Sequence, residues 1–189
     1  MEYKKDLDFI KQYFGDTKDA SGRLIWDHAL DTALVLEKSI LGQGEISLDK
    51  TKHLFLGALG HDILEDTAIK PDELQRMWGD KAFKYIQALT NVKGDGDFSD
   101  YMQNLKIAEE EVLLIKLADI LSNITNTTKN FKKIDIDWIK TFWLPLLLKY
   151  KKELFTRKFL KYPKTAGAMI EEIEINMEEL EKGVKISKT

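Results

Sequence analysis

The segment GHDILEDT, residues 60–67, holds one imidazole and three carboxylates: His61, Asp62, Glu65 and Asp66. Imidazole nitrogen and carboxylate oxygen suit divalent cations, and a carboxylate beside such a cation can take a proton from water. Residues four apart on a helix are offset by about 40°. A helix or last turn running through Asp66 therefore sets His61 over Glu65 and Asp62 over Asp66, with all four aimed into one sector. A charged helix end leading into a loop would show the same residues, and a histidine–aspartate pair alone carries little information.

A second segment changes that balance. In VLLIKLADILSNI, residues 112–124, Lys116, Asp119 and Asn123 are spaced by three and four within an apolar run. They form one narrow polar stripe on an otherwise buried helix. A buried aspartate there is costly unless it is paired or bound to a cation. A third segment, SGRLIWDHALDTALVLE, brings His28 at the head of an apolar helix. His53 lies eight residues before His61, about 80° round a helix, and should face elsewhere.

These residues need helices to hold them, and the apolar spacing supplies helices throughout. Residues 24–41 carry a wide apolar stripe, and LDKTKHLFLGALGHDIL reads as one helix with Asp49 as N-cap. KPDELQRMWG begins with a proline suited to a first turn and stops at Gly79; DKAFKYIQALTNV follows as a further helix. KGDGD, residues 93–97, reads as a mobile loop. SDYMQNLKIAEEEVLLIKLADILSNITN contains a helix buried on most sides. DWIKTFWLPLLLKYKKELF and KTAGAMIEEIEINMEELEK give two more, with Pro145 kinking or breaking the former. No alternating strand pattern appears, so the expectation is an all-α bundle in a single domain. The acidic last helix packs on the core or on a partner, and a homo-oligomer stays open.

Composition narrows the class. The 189 residues are 43% hydrophobic and 32% charged, with a net charge of −3. That is a globular chain without the basic balance of a dedicated nucleic-acid binder. The absence of cysteine excludes disulfides and thiolate chemistry. No apolar run reaches a membrane span, and the start MEYKKDLDF has no signal-peptide profile, so no membrane partner and a cytoplasmic location are expected.

Taken together, the segments resemble the HD-domain metal-dependent phosphohydrolases, with His28, His61–Asp62 and Asp119 in order. HDILEDT is similar to the H-D-x-x-E-D-T motif of the RelA/SpoT-type hydrolase domain, the (p)ppGpp 3′-pyrophosphohydrolases. IKLADILSN resembles its K-L-A-D-x-x-x-N segment, and SGRLIWDHALDTALVLE its S-G-x-x-Y-x-x-H-x-x-x-V-A entry. The resemblance covers roughly residues 15–130 and implies a helical HD-domain bundle, with residues 131–189 as C-terminal helices. It implies one divalent metal, manganese, on His28, His61, Asp62 and Asp119, with Glu65 and Asp66 activating water. Asn123 matches an asparagine contacting the nucleotide near its ribose; Lys116, Lys18, Arg23 and Asn126 complete the expected substrate contacts. The implied substrate is guanosine tetra- or pentaphosphate, cleaved to release pyrophosphate from the ribose 3′ position. Another nucleotide, or a weakly catalytic metal–nucleotide sensor, remains the alternative.

The sequence departs from that pattern at identifiable places. Asp19–Ala20 stand where a basic pair usually precedes the Ser-Gly, Ile25 replaces an aromatic, and Gly60 replaces a bulkier apolar residue. Thr125 and Asn126 stand where threonine and arginine are common. The expected metal set is intact, whereas the grips on base and phosphate are altered. With only about 60 residues after the last motif, no synthetase domain of the larger relatives is expected in this sequence, which resembles the small stand-alone alarmone hydrolases.

Overall fold

Helix α7, Glu110–Lys129, is the axis of the molecule: fourteen of its twenty residues are buried, Asp119 and Ser122 among them. The computed structural model describes residues 3–91 and 98–186. Around α7 pack α2 (Ile25–Gln43), α3 (Leu48–Leu59) and the long α10 (Pro163–Ile186), with α2 and α3 also packed on each other. The last helix buries Ala166, Met169, Ile173, Met177, Leu180 and Val184. This three-and-four spacing is a single apolar stripe, and its acidic face is left to solvent. No strand occurs among the described residues beyond an isolated Lys18–Leu24 bridge, so the all-α expectation holds.

Several boundaries differ from the sequence reading. An unforeseen first helix, α1 (Lys4–Phe14), buries Ile10 and Phe14 against the bundle. Ser47, with extended backbone, precedes α3 and its carbonyl accepts from the Lys50 and Thr51 amides; Asp49 thus lies in the first turn, not at the N-cap. Helix α5 runs Pro71–Leu89, with Pro71 in its first turn and a break at Gly79, as the two sequence segments suggested. Residues Phe98–Ile107 (α6) separate from α7 at Ala108–Glu109. The KGDGD segment lies outside the described residues.

After a short 3₁₀ turn, the chain runs through α8 (Ile136–Trp138), a π segment (Ile139–Trp143), α9 (Leu144–Tyr150) and a second π segment (Lys151–Phe155). Pro145 sits in the first turn of α9, where the wider π turn gives way to α geometry. A proline lacks the amide that either register would need, so the switch falls where it stands. The buried Glu110 carboxylate ties the following loop to α7 by accepting from the Leu160, Lys161 and Tyr162 amides. Among the described residues, no helix is long and apolar enough to cross a membrane.

Candidate metal centre

Helix α3 stops at Leu59, one residue before the histidine–aspartate pair. A Cβ on Gly60 would lie 2.4 Å from Trp78 Cζ3 and 2.8 Å from Ile86 Cδ1. Two α5 side chains therefore occupy the space that a bulkier residue would take, and the chain can turn tightly against them. His61 and Asp62 lie in that turn, and Ile63–Asp66 forms a separate one-turn helix, α4. The single helix read over LDKTKHLFLGALGHDIL is thus broken at Gly60, and the condition for setting all four side chains in one sector, a helix continuing through Asp66, is not met. Glu65 is half-buried and accepts the Asn91 amide, whereas Asp66 is exposed and outside the cavity that Glu65 lines. The four side chains do not share one sector.

His28, His61, Asp62 and Asp119 converge from α2, the turn and α7. His28 Nε2 lies 3.2 Å from His61 Nε2, 3.1 Å from Asp119 Oδ1 and 3.7 Å from Asp62 Oδ2. His61 Nε2 lies 3.0 Å from Asp62 Oδ2 and 3.5 Å from Asp119 Oδ1. Neighbouring donors on one cation, at bond lengths of about 2.1 Å, would be roughly 3.0–3.4 Å apart in octahedral or tetrahedral shells. The donor set, two imidazoles and two carboxylates, is chemically suited to a divalent first-row ion. His61 Nδ1 donates to the Ala58 carbonyl at 2.8 Å, which in the neutral ring leaves Nε2 as the ligating nitrogen toward the cluster. Ligand atoms of His28, His61 and Asp62 all lie within 4.8 Å of one another, Asp119 joins them through Oδ1 beside the two imidazoles, and His53 is in neither set of contacts.

The electrostatics follow from burial and pairing. Burial opposes the charge on His61, but Asp62 and Asp119 outweigh it and hold the imidazole well above its ordinary pKa. Burial likewise opposes ionisation of Asp119, yet Lys116 and the two imidazoles hold it well below the usual carboxylate range. Lys116 Nζ is 2.7 Å from Asp119 Oδ2 and lies over the Tyr101 and Tyr150 rings at 5.7 and 5.5 Å from their centroids. Glu65 is displaced the other way: burial, with Asp62 and Asp66 adding, raises its pKa against the Asn91 amide and Lys116. Glu65, Asp62, His61 and Lys116 meet at a cavity of about 130 Å³ walled by Tyr101 and Tyr150.

The expected substrate residues divide. Asp19, in place of a basic residue, has a carboxylate that accepts from the Ser21 amide and hydroxyl and the Arg23 amide, while Gly22 takes the left-handed turn (φ 83°). That turn points Arg23 inward, where Nη2 lies 2.9 Å from His28 Nδ1 and 3.1 Å from Asn123 Oδ1. Asn123 donates to Asp119 Oδ1 at 2.7 Å, and Asn126 to Ser21 Oγ at 2.9 Å. Both asparagines line a second cavity of about 170 Å³, walled by Trp138, Phe142 and Trp143. Lys18 is exposed and lines none of these cavities. The aromatic wall was not foreseen; its signal was three aromatics within six residues on a segment otherwise read only as a helix.

No protein-family model matches the chain. It is 28% identical over 129 residues to the guanosine-3′,5′-bis(diphosphate) 3′-pyrophosphohydrolase of Aquifex aeolicus, a match covering 65% of this chain and 17% of that protein. It is 30% identical over 125 residues to the GTP pyrophosphokinase rsh of Brucella ovis, covering 61% of this chain and 16% of the relative. The chain thus spans about a sixth of the length of these curated relatives. These similarities agree with the motif resemblance: the chain is like the RelA/SpoT-type HD hydrolases.

Proposed function

We propose that this chain is a metal-dependent phosphohydrolase that removes pyrophosphate from the ribose 3′ position of a guanosine tetra- or pentaphosphate. The observation that carries the reading is the convergence of His28, His61, Asp62 and Asp119 beside the half-buried Glu65. The name of the Aquifex relative supports the same class of reaction.

In this reading the four side chains hold one divalent cation, manganese, which when bound supplies Lewis acidity toward water and phosphoryl oxygen. Water attacks the phosphorus attached to O3′, the O3′–P bond breaks, and pyrophosphate leaves while O3′ regains a proton. Glu65 accepts the proton of the attacking water; its raised pKa brings its basicity closer to neutrality than that of an ordinary glutamate. Lys116 keeps Asp119 ionised and sets positive charge beside the reacting phosphate, and Arg23 adds a second cation. Asn123 and Asn126 face the nucleoside from the edge of the aromatic cavity. Asp66 is carried with Glu65 by the resemblance alone, and Lys18 contacts only a substrate reaching the rim.

The inward turn of Arg23 behind Asp19 favours testing other nucleotides with a 3′ phosphate as well, since this loop offers no outward basic pair. The experiment is a nucleotide panel with manganese and analysis of which bond breaks. Conversion of ppGpp to GDP and pyrophosphate is expected. Tight nucleotide binding without turnover across the panel would replace the enzyme with a sensor.

A further inference from the structure

His28 can serve the centre through Nε2 only if its ring proton sits on Nδ1, and that proton then needs an acceptor. Two groups approach Nδ1. Ser122 Oγ lies 3.2 Å away and Arg23 Nη2 2.9 Å away, and they make opposite demands. Guanidinium has only donors, so Arg23 pairs with a bare Nδ1 and leaves the proton on Nε2. Ser122 could in principle donate or accept. Its single proton, however, points to Asp31 Oδ2 at 2.7 Å, and an ionised carboxylate is acceptor-only. With that proton committed, the serine oxygen can only accept from the imidazole.

We propose that Ser122 and Asp31 are positioning residues for the metal centre: they hold His28 in its cation-binding tautomer, and Arg23 competes for the same nitrogen. The inference rests on the metal-centre reading above. Geometry supports a built relay, since Ser122 is 1% exposed and links α7 to α2, and Asp31 lies three residues after His28 on the same helix face. Arg23 Nη1 also reaches toward both relay members, at 3.3 Å from Ser122 Oγ and 3.6 Å from Asp31 Oδ2. It can therefore stay paired within the relay after giving up Nδ1. The same arginine then remains beside Asn123, facing the substrate side.

The test is manganese affinity of the full chain, measured by competition with a chelating dye and without nucleotide. Loss of a hydrogen bond behind a ligating histidine typically weakens metal binding about 10–100-fold. Ser122→Ala should fall in that range, Ser122→Thr should return to within a few-fold of the parent, and Asp31→Ala should weaken binding less than Ser122→Ala. Arg23→Leu should move the other way and tighten binding several-fold. Ring nitrogen NMR on the metal-free protein should find the His28 proton on Nδ1, and a shift of population toward the Nε2 tautomer in Ser122→Ala. If the parent binds one manganese while Ser122→Ala and Arg23→Leu bind it equally well, the relay is wrong and the metal centre stands. If the parent binds neither manganese nor zinc, the metal-centre reading itself falls, and the relay with it. Should Ser122→Ala fail to fold, ring nitrogen NMR of the metal-free parent still decides the matter: a His28 proton on Nε2 rather than Nδ1 overturns the relay.

Discussion

Asp119 divides its carboxylate between two sides: Oδ2 pairs with Lys116 Nζ at 2.7 Å, while Oδ1 lies 3.1 Å from His28 Nε2 and accepts from Asn123 at 2.7 Å. The lysine neutralises one side of a buried acid and leaves the other oxygen to the imidazoles and Asn123. Removing the lysine alone strands the acid. Lys116→Met should therefore destabilise the protein by about 3–5 kcal/mol, the usual cost of breaking a buried pair. Urea unfolding with a chelator present measures this without a contribution from bound cation. The pH dependence has a defined sign. Asp119 has a lowered folded pKa, so its contribution is present above the unfolded value near 3.9 and disappears as pH falls through the folded one. Lys116 has a raised one, so its contribution is full below about 10.4 and is lost as pH rises through the folded value. The difference between parent and variant should be widest between those limits; a difference unchanged at pH 2 would refute the pairing.

The opposite faces of the histidines and of α7 give a second expectation. Asp119→Ala should lose manganese and activity together, because it removes an oxygen facing both imidazoles. His53→Ala should keep one bound manganese per chain, since His53 stands outside the cluster. Equal metal loss in the two variants would mean that the ligand set has been assigned to the wrong faces.

Gly60 makes the tight turn and is packed against Trp78 and Ile86. A methyl there forces both α5 side chains, or the turn itself, to move, an overpacking cost of about 1–3 kcal/mol. Because His61 is the next residue, Gly60→Ala should also weaken manganese binding. A companion Ile86→Val, which shortens one of the clashing side chains, should restore part of both losses. A variant as stable as the parent, with unchanged metal affinity, would show that the turn tolerates bulk.

Much of this site was legible because its residues sit at helical spacings among apolar neighbours. Lys116, Asp119 and Asn123 stand out on α7 because little else polar interrupts that buried run, and the structure links all three through the Asp119 carboxylate. What the spacing could not reveal was set by contacts between elements. The break at Gly60 depends on Trp78 and Ile86, which come from α5. Arg23 turns inward because Asp19 closes its loop, a local hydrogen-bond pattern that a missing basic pair conceals. The π turns around Pro145 leave the apolar pattern helical, and Phe142 and Trp143 from the first of them wall the cavity with Trp138 of α8. Ser122 and Asp31 drew no role from the sequence, because only the packing of α7 on α2 joins them.

Glu65 and Asp66, paired by the resemblance as water-activating acids, sit side by side on α4 but in different surroundings. Glu65 lines the cavity with Asp62 and Lys116, whereas Asp66 is exposed outside it. The amide replacements should therefore differ. Glu65→Gln keeps size and hydrogen bonding while removing basicity, and should lower kcat by about 10²–10⁴-fold with manganese affinity nearly unchanged. Asp66→Asn should cost far less, since its carboxylate lies outside the cavity that Glu65 lines and reaches Glu65 through its charge. The same charge makes a finer check available. Asp66 contributes to raising the Glu65 pKa, so Asp66→Asn should shift the acid limb of the kcat profile to lower pH. Single-turnover rates and metal content measured on the same preparations separate chemistry from binding. Equal rate losses in the two variants would return Asp66 to the reacting water and show that α4 rearranges when substrate binds.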